Sequence, residues 1–218
     1  VSGSIMGTPA SMPTGYSIIT GSMVPIESYI FGPGIDLAGA DLDGFDLAGV
    51  DLTGINLESA SLTGATLSGV TGTITGTPSS MPSGYGLISG PNDSYILGPN
   101  VNLSNADLTG ADLDGIDLSG VTLTGATLTG VSGSIMGMPA TMPTGYSIID
   151  GFNIDGANVT VTHTYIVGPG VDLTGANLTN ANLSGADLTG ADLTGADLTF
   201  VSGSIMGTPA SMPTGYSI

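Results

Sequence analysis

Leucine recurs at every fifth residue through three separate stretches of this 218-residue chain, and this period excludes most common folds. The unit is clearest at residues 186–200, which read ADLTG ADLTG ADLTF. A period of five matches neither the 3.6-residue repeat of a helix nor the two-residue repeat of a flat strand. Inside each unit the apolar residues lie two apart, as a short strand with one inward face requires. The glycine that usually ends the unit permits a corner, because glycine adopts positive φ without steric cost.

Short strands joined by corners form a coil, and a coil buries its inner face only by stacking on other coils. The units occupy three blocks, with seven units in residues 35–69 and six each in residues 101–130 and 171–200. Disordered Gly-rich low complexity is disfavoured, since it would not keep leucine in register through three blocks. The sequence therefore predicts a β-solenoid.

These units resemble the A(D/N)Lxx pattern of the pentapeptide-repeat family. The resemblance implies an all-β fold, a right-handed four-sided β-helix with four pentapeptides in each coil. No helix is then expected, for example through residues 106–120. The Asp, Asn and Thr positions are expected to point outward. The residues expected to point inward include Leu37, Leu42 and Leu47, together with Ile35, Ala40, Phe45, Val50 and Ile55.

Four pentapeptides in a coil would place residues twenty apart side by side on adjacent strands, ~4.8 Å from each other. Among seven such pairs within the blocks, only Asp172 with Asp192 sets carboxylate beside carboxylate. Like charges directly opposite destabilise a sheet, whereas Asn or Thr can donate a hydrogen bond to a carboxylate. The other expected neighbours include Asp36 with Asn56, Asp41 with Ser61, Asp46 with Thr66, and Asp107 with Thr127.

A second, longer repeat interrupts the blocks. Residues 1–18 read VSGSIMGTPASMPTGYSI, return with changes from Val70 and Val131, and return unchanged at residues 201–218. A later anchor, YIxGP, begins at Tyr29, Tyr95 and Tyr165. The long units are residues 1–69, 70–130, 131–200 and the partial unit 201–218. Variable loops at residues 20–28, 89–94 and 150–164 separate the two motifs, and we expect them to protrude from one edge of the solenoid.

The interrupting GxIxGxPxxMPxGY element is predicted to form one coil of altered shape, so that residues 1–218 make a single continuous solenoid with protruding loops. Each block would otherwise expose two coil ends with unpaired backbone groups. The element resembles those of large bacterial surface repeat proteins. Its recurring methionines and tyrosines are interpreted as packing under the turn rather than as a binding stripe. They are Met12, Met81, Met142 and Met212, and Tyr16, Tyr85, Tyr146 and Tyr216.

The charge composition excludes several classes of partner. The chain has 18 acidic residues and no Lys or Arg, so it has no cationic side chain for nucleic-acid phosphates or anionic lipid headgroups. It has no cysteine for disulfides or a thiolate metal site. No apolar run approaches the ~20 residues that span a bilayer. We therefore expect neither nucleic-acid binding nor membrane insertion.

Candidate residues for chemistry are few. His163 is the only histidine and has no second histidine or cysteine for a triad or a zinc site, so we expect no enzyme, no catalytic residue and no cofactor. Two DxDGxD segments could offer hard oxygen ligands to Ca²⁺, although they lack the length and terminal Glu of an EF-hand loop. A solvated acidic surface is the simpler interpretation of these segments. The possible weak calcium ligands are Asp41, Asp43, Asp46, Asp112, Asp114 and Asp117.

These features favour a structural extracellular repeat protein that forms a rigid rod or filament, with copies of itself as its partner. We expect an extracellular or cell-surface location, in a bacterium. One alternative is an acidic DNA mimic that inhibits DNA gyrase, because the family that the units resemble includes such proteins. A second alternative is an ice-binding or calcium-dependent surface-binding solenoid, with ice contacted by Thr122, Thr124, Thr127 and Thr129.

The two ends of the chain carry a further expectation. Val1 opens a long repeat and Ile218 falls inside one, whereas solenoids usually finish with atypical capping repeats. The sequence thus suggests an excerpt of a longer tandem protein, or a subunit of a head-to-tail filament.

Overall fold

The structure, a computed structural model, describes residues 4–7, 9–21, 27–89, 94–155 and 158–217. Val1, Ile218 and parts of the first two variable loops, residues 22–26 and 90–93, lie outside the described residues. The described part of the chain is all β and contains no helix, as the five-residue period predicts. Its strands are β1 Ser17–Thr20, β2 Ser28–Phe31, β3 Ile55–Asn56, β4 Ile74–Thr75, β5 Gly86–Ser89, β6 Ser94–Leu97, β7 Ile116–Asp117, β8 Ile135–Met136, β9 Ser147–Asp155 and β10 Asn158–Val167.

Most coil contacts are parallel bridges between residues twenty apart, which confirms four pentapeptides in each turn. All seven neighbour pairs expected within the blocks form, including the one between Asp172 and Asp192. Asn56 Nδ2 donates to Asp36 Oδ1 at 3.0 Å, the donation expected where Asn lies beside Asp. The full set is Asp36–Asn56, Asp41–Ser61, Asp46–Thr66, Asn102–Thr122, Asp107–Thr127, Asp172–Asp192 and Asn177–Asp197.

Each corner of the coil is a β-turn. In the first unit the Ala40 N–H donates to the Leu37 carbonyl at 3.0 Å. Gly39, the third residue of this turn, has φ of 67°, which is the arrangement of a type II turn. Glycine is favoured there because an L-residue in the left-handed region costs ~1–2 kcal/mol. Ser59 and Phe200 adopt the left-handed conformation despite this cost, with φ of 58° and 57°.

The core lies inside the coils and is built by the leucines. All nineteen pentapeptide leucines are buried, from Leu37 to Leu198, which has the largest exposed fraction at 8%. Ala40, Phe45 and Ile55 are buried with them, as expected, whereas Ile35 and Val50 are half-buried. No polar side chain is buried among the described residues, since the Asp, Asn, Ser and Thr positions face outward.

Backbone hydrogen bonds cross both described interruptions. Between the first two blocks, Gly69 N–H donates to the Asn100 carbonyl at 2.6 Å, and Asn102 N–H donates to the Val70 carbonyl at 3.0 Å. The same two bonds recur at the next interruption, from Gly130 to Gly170 at 2.6 Å and from Asp172 to Val131 at 2.9 Å. Each interrupting element also pairs with the coil before it, through β3 with β4 and β7 with β8.

The variable segments, which we expected to be protruding loops, belong to β-hairpins. Strands β1 and β2, β5 and β6, and β9 and β10 form antiparallel pairs. In the third hairpin the strands extend through most of residues 150–164, with a bulge between Val161 and His163. The segment alternates β-branched and polar residues from residue 158 to 162, a pattern that favours strand, so added length continues the ladder.

The second and third hairpins do not leave from one edge, which corrects the expectation of a single protruding side. They pair with the coil through Ser94 to Ile74 and Thr164 to Ile135.

Residues that are paired from coil to coil on one face of the solenoid form a column. The second interrupting element begins on the column that contains Asp51, Thr71, Asn102 and Thr122. The third begins at Ser132, on the column of Asp112, ten residues before Thr122 and so two faces away. The two elements are therefore rotated by half a turn.

Candidate interaction surfaces

The outward Asp and Asn residues hold the corners of the coil. In unit after unit, the side-chain oxygen accepts a hydrogen bond from the backbone N–H two residues later, for example Asp51 Oδ1 from Thr53 at 2.9 Å. This is an Asx turn, which only Asp or Asn supplies with this reach. Sequence reasoning placed these residues outside but missed this role. The signal was present in the alternation of Asp and Asn at one position, since the two share the carbonyl-type oxygen and differ in charge.

Hydrogen bonding keeps several of these carboxylates ionised. The Thr109 hydroxyl and backbone N–H hold the pKa of Asp107 below its usual value, and the Thr189 and Thr199 pairs do the same for Asp187 and Asp197. Ser119 lowers the pKa of Asp117 in the same way. The solenoid therefore presents fixed negative charges on its faces.

The two candidate calcium segments are not gathered into ligand cages. Asp41 and Asp46 pair with Ser61 and Thr66 on successive faces of the coil, so their carboxylates point in different directions. Asp43 Oδ1 accepts from the Thr63 N–H at 2.8 Å. Within the described ranges, no group of three or more His, Cys, Asp or Glu residues could hold a metal ion. Calcium binding stays a prediction.

The second segment is held in the same manner. Asp112 Oδ1 accepts from the Asp114 N–H at 3.0 Å, and Asp117 Oδ1 accepts from the Ser119 N–H at 2.9 Å. Asp114 Oδ1 accepts from the Ser134 N–H at 3.1 Å and from the Ser134 hydroxyl at 2.8 Å. These carboxylates thus accept hydrogen bonds from backbone N–H groups of their own corner or of the adjacent coil.

His163 lies on the third hairpin beside a shallow groove. Its ring is exposed and stacks on Tyr165 with 6.0 Å between the ring centroids. The groove, of about 330 Å³, is lined by His163, Asp114, Ser134, Tyr165 and Asp172. The Ser134 hydrogen bonds, and to a lesser extent the His163 charge, lower the pKa of Asp114. The only imidazole of the chain thus shares this groove with the Asp114 and Asp172 carboxylates.

The recurring tyrosines bond across the base of the hairpins, from the residue before the first strand to the proline that follows the second. Tyr85 OH donates to the Pro99 carbonyl and Tyr146 OH to the Pro169 carbonyl, each at 2.9 Å. A Cβ at Gly168 would lie 2.7 Å from Tyr146 Cγ, so only glycine fits against the ring. This supports packing under the turn, the interpretation made from the sequence. Met81, Met142 and Met212 are half-buried against the core, in agreement.

A second set of tyrosines completes the ladder where the hairpin meets the next coil. Tyr95 OH accepts from the Asp107 N–H at 3.1 Å, and Tyr165 OH accepts from the Asn177 N–H at 3.1 Å. Tyr29 accepts the Asp41 N–H in the same way, and it also donates to Glu27 Oε2 at 2.5 Å. Burial, followed by the contact with Glu27, raises the pKa of Tyr29 to about 12.

Exposed methionines mark the outside of the interrupting elements, and sequence reasoning missed them. Met136 and Met206 are each 55% exposed, and Met6 is fully exposed. They follow the inward isoleucine of the SIM motif, so strand alternation alone predicts their outward direction. The described residues include no helix that is long and apolar enough to cross a membrane.

Comparison with solved structures finds HetL, a pentapeptide repeat protein involved in heterocyst differentiation regulation from the cyanobacterium Nostoc sp. strain PCC 7120. The match has 29% sequence identity and a TM-score of 0.25, and it covers 77% of this chain but only 63% of HetL. The expectation of an extracellular or cell-surface location finds no support in this comparison, since HetL is described as involved in heterocyst differentiation regulation. No curated protein matches the chain.

Comparison with protein families gives a direct assignment of the blocks. The family of pentapeptide repeats matches in eight copies, over residues 34–71, 100–132 and 170–201. These ranges coincide with the three blocks and exclude most of each interrupting element, to which no family is assigned here. With its all-β coils and its twenty-residue ladder, the chain belongs to the pentapeptide-repeat family.

Proposed function

We propose that the chain is a non-enzymatic structural rod, in which stacked coils hold the three hairpins at fixed positions. The observation that carries this proposal is the hydrogen bonding across the interruptions, where Asp172 N–H reaches the Val131 carbonyl and Asn102 N–H reaches the Val70 carbonyl. A flexible linker would leave these groups to water. The interrupting elements also bury Val70, Ile74, Val131 and Ile135, so apolar packing continues between blocks.

The side chains support a structural role over a catalytic one. Most carboxylates of the coils accept hydrogen bonds from backbone N–H groups, as Asp51, Asp107 and Asp187 do. The hydroxyls of Thr53, Thr109 and Thr189 also donate to these three carboxylates. Asp107 and Asp187 are weak bases because their pKa is lowered, so they do not activate the hydroxyls that they bond. Their effect is to lock each corner, which favours a stiff frame.

A distance measurement between the first and third blocks tests the rod. The chain has no native cysteine, so spin labels can be placed at Ala48→Cys and Ser184→Cys, both exposed and in different blocks. We expect one narrow distance distribution by pulsed electron paramagnetic resonance. The matched control places labels at Ala38→Cys and Ala48→Cys, both exposed and within one block, and gives the width for a rigid frame. A much broader distribution for the interblock pair would refute a stiff rod.

The acidic DNA mimic keeps one observation in its favour. The chain carries 18 acidic residues without a basic one, and hydrogen bonding holds carboxylates such as Asp107 and Asp187 in the charged form. A gyrase supercoiling assay separates it from the rod, since only a mimic should inhibit the enzyme at low salt and lose this effect as salt screens the charges.

The ice-binding alternative has less support. Thr122 lies between Asn102 and Thr141 on its column, and Thr127 lies beside Asp107. The column thus offers two stacked threonines, not the repeated Thr-x-Thr ladder that a flat ice-binding face would need.

A further inference from the structure

The third long unit combines a closely spaced methionine pair with a histidine, and no other unit of the chain does. Residue 136 is methionine in this copy of the interrupting element and in two others, whereas residue 138 is methionine only here and threonine in the other three copies. His163, two residues before the anchor tyrosine, stands where the first two hairpins have Glu27 and Asp93. Because the chain has no cysteine, methionine supplies its only soft sulfur ligands.

The fold brings Met136 and His163 to the same face of one sheet. Strand β8 pairs antiparallel with β10 through Ile135 and Thr164. The next residues along the two strands, Met136 and His163, therefore lie opposite each other, with their Cβ atoms ~4.5–5.5 Å apart. Ile135 is buried and Met136 is 55% exposed, as alternation along a strand requires. His163 is exposed as well, so the thioether and the imidazole share the outer face.

Met138 starts from the same corner of the coil as Met136. The carbonyls of Met136 and Met138 accept hydrogen bonds from N–H groups of the preceding coil at 2.7 and 2.9 Å. The second and fourth residues of a regular pentapeptide accept the same pair of bonds. Side chains at those two positions meet at the corner, as Asp107 Oδ1 and Thr109 Oγ1 do at 2.6 Å. The two thioethers thus extend from neighbouring outward positions.

Packing does not account for the methionine pair. Neither Met136 nor Met138 belongs to the core or to the apolar residues that pack against it, and Met138 is 62% exposed. Met136 borders a small groove with Ile116 and Asp117, and its unbranched side chain is flexible enough to turn from there to His163. Met138 contributes little burial at a position where the other copies carry threonine, so the property that distinguishes it there is its sulfur atom.

The charges around these side chains favour a cation. Asp117 pairs with Met136 from the neighbouring strand β7, and hydrogen bonding lowers the pKa of Asp117, which keeps its carboxylate ionised. His163 shares its groove with the Asp114 and Asp172 carboxylates. The chain has no Lys or Arg to neutralise them, so the local field attracts positive ions.

We propose that Met136, Met138 and His163 bind one Cu(I) ion, through two thioether sulfurs and one imidazole nitrogen. Thioether ligands select Cu(I), and imidazole also suits copper. Calcium, in contrast, takes oxygen ligands, and this set offers none. The ion binds in the +1 state, so no electron transfer is involved. The site needs only the third unit, so it can fail while the proposed rod stands.

Silver(I) nitrate in chloride-free buffer is the probe, because Ag(I) has the charge and soft character of Cu(I) and is stable in air. The whole chain, labelled with ¹³C at the methyl groups of its nine methionines, is titrated and followed by nuclear magnetic resonance. We expect one equivalent of Ag(I) to shift the methyl signals of Met136 and Met138 and the ring signals of His163. The other methionine signals should stay in place.

Substitutions of exposed side chains, which should leave the fold intact by circular dichroism, identify the ligands. Met138→Thr, which restores the residue of the other copies, and His163→Gln should each weaken Ag(I) binding by at least ~10-fold, since losing a group that only orients a ligand already costs this much. Met206→Leu is the matched control and should bind like the parent, because Met206 is the equivalent of Met136 in another copy and is equally exposed at 55%. Equal shifts of all exposed methionines, or unchanged affinity in Met138→Thr or His163→Gln, would overturn the proposal.

Discussion

Alanine substitutions at two glycines with the same φ can distinguish the energetic cost of backbone strain in a turn from the cost of disturbed packing between coils. Gly133 has φ of 89° and Gly145 has φ of 90°, so alanine meets the same left-handed strain at both. A Cβ at Gly133 would lie 2.7 Å from Asp114 Cα and nearer still to its nitrogen, in the coil below. At Gly145 the nearest atom would be Pro169 Cδ, at 3.7 Å, which is ordinary contact.

The expected magnitudes follow from these distances. Gly145→Ala should lower the free energy of unfolding by about 1–2 kcal/mol, the cost of an L-residue in the left-handed region. Gly133→Ala should add about 1–3 kcal/mol, the cost of overpacking, because backbone atoms cannot rotate away as a side chain would. With a urea m-value of about 2 kcal/mol/M, a gap of 2 kcal/mol is about 1 M between the two midpoints.

The assay is urea unfolding of both variants beside the parent chain, followed by far-ultraviolet circular dichroism. The comparison requires equal m-values, so that the midpoints report stability alone. Equal losses for the two variants would refute the reasoning, since they would mean that the interrupting element does not rest on the coil of Asp114.

Four further outcomes are expected. Leu123→Ala should cost about 3–5 kcal/mol in urea unfolding, because Leu123 is 1% exposed and the neighbouring coils limit collapse of the cavity. The pKa of Tyr29 is raised to about 12, so the stability linked to its neutral form is complete below the unfolded pKa near ~10 and is lost as pH rises through 12. Tyr29→Phe should reduce this alkaline loss of stability, and Tyr85, whose pKa burial also raises, should account for part of what remains. The lowered pKa of Asp107 makes its contribution present above ~3.9 and lost as pH falls through the lowered value, so Thr109→Val should weaken the acid dependence of the melting temperature. The melting temperature of the parent chain should rise from low salt to high salt, because 18 negative charges have no positive partner among Lys and Arg, and a constant value would contradict this.

Much of the regular coil could be predicted from the sequence because each position of the five-residue unit has one structural role and so favours one kind of residue. Leucine at every fifth residue fixes the inward face, and glycine before residues such as Ala40 fixes the corner. The neighbour pairs followed from the twenty-residue turn that the resemblance to the pentapeptide-repeat family implied. Asp36 beside Asn56 is an example, in which the predicted contact is also the observed hydrogen bond.

The hairpins and their fastenings could not be predicted because they depend on contacts between distant residues. The alternation at residues 158–162 favours strand and could be read from the sequence, but the register of the pairing could not, since the sequence does not show which turn brings the two strands together. The hydroxyl bond of Tyr165 to the Asn177 N–H is likewise a property of two elements and of neither sequence alone. The direction of the candidate calcium residues likewise depends on the coil, since Asp41 and Asp46 are close in sequence but lie on different faces.

The half-turn between the second and third interrupting elements shows that the number of pentapeptides in a block determines the rotation of the next element about the solenoid axis. Each pentapeptide advances the chain by one of four faces, so a block longer by one unit would aim the next hairpin a quarter-turn further around the axis. A block longer by four units would keep the direction and only increase the height, by one strand spacing of ~4.8 Å. The first block has seven units and the second has six, so in this chain the number of repeats sets the direction in which each hairpin points as well as its position along the solenoid axis.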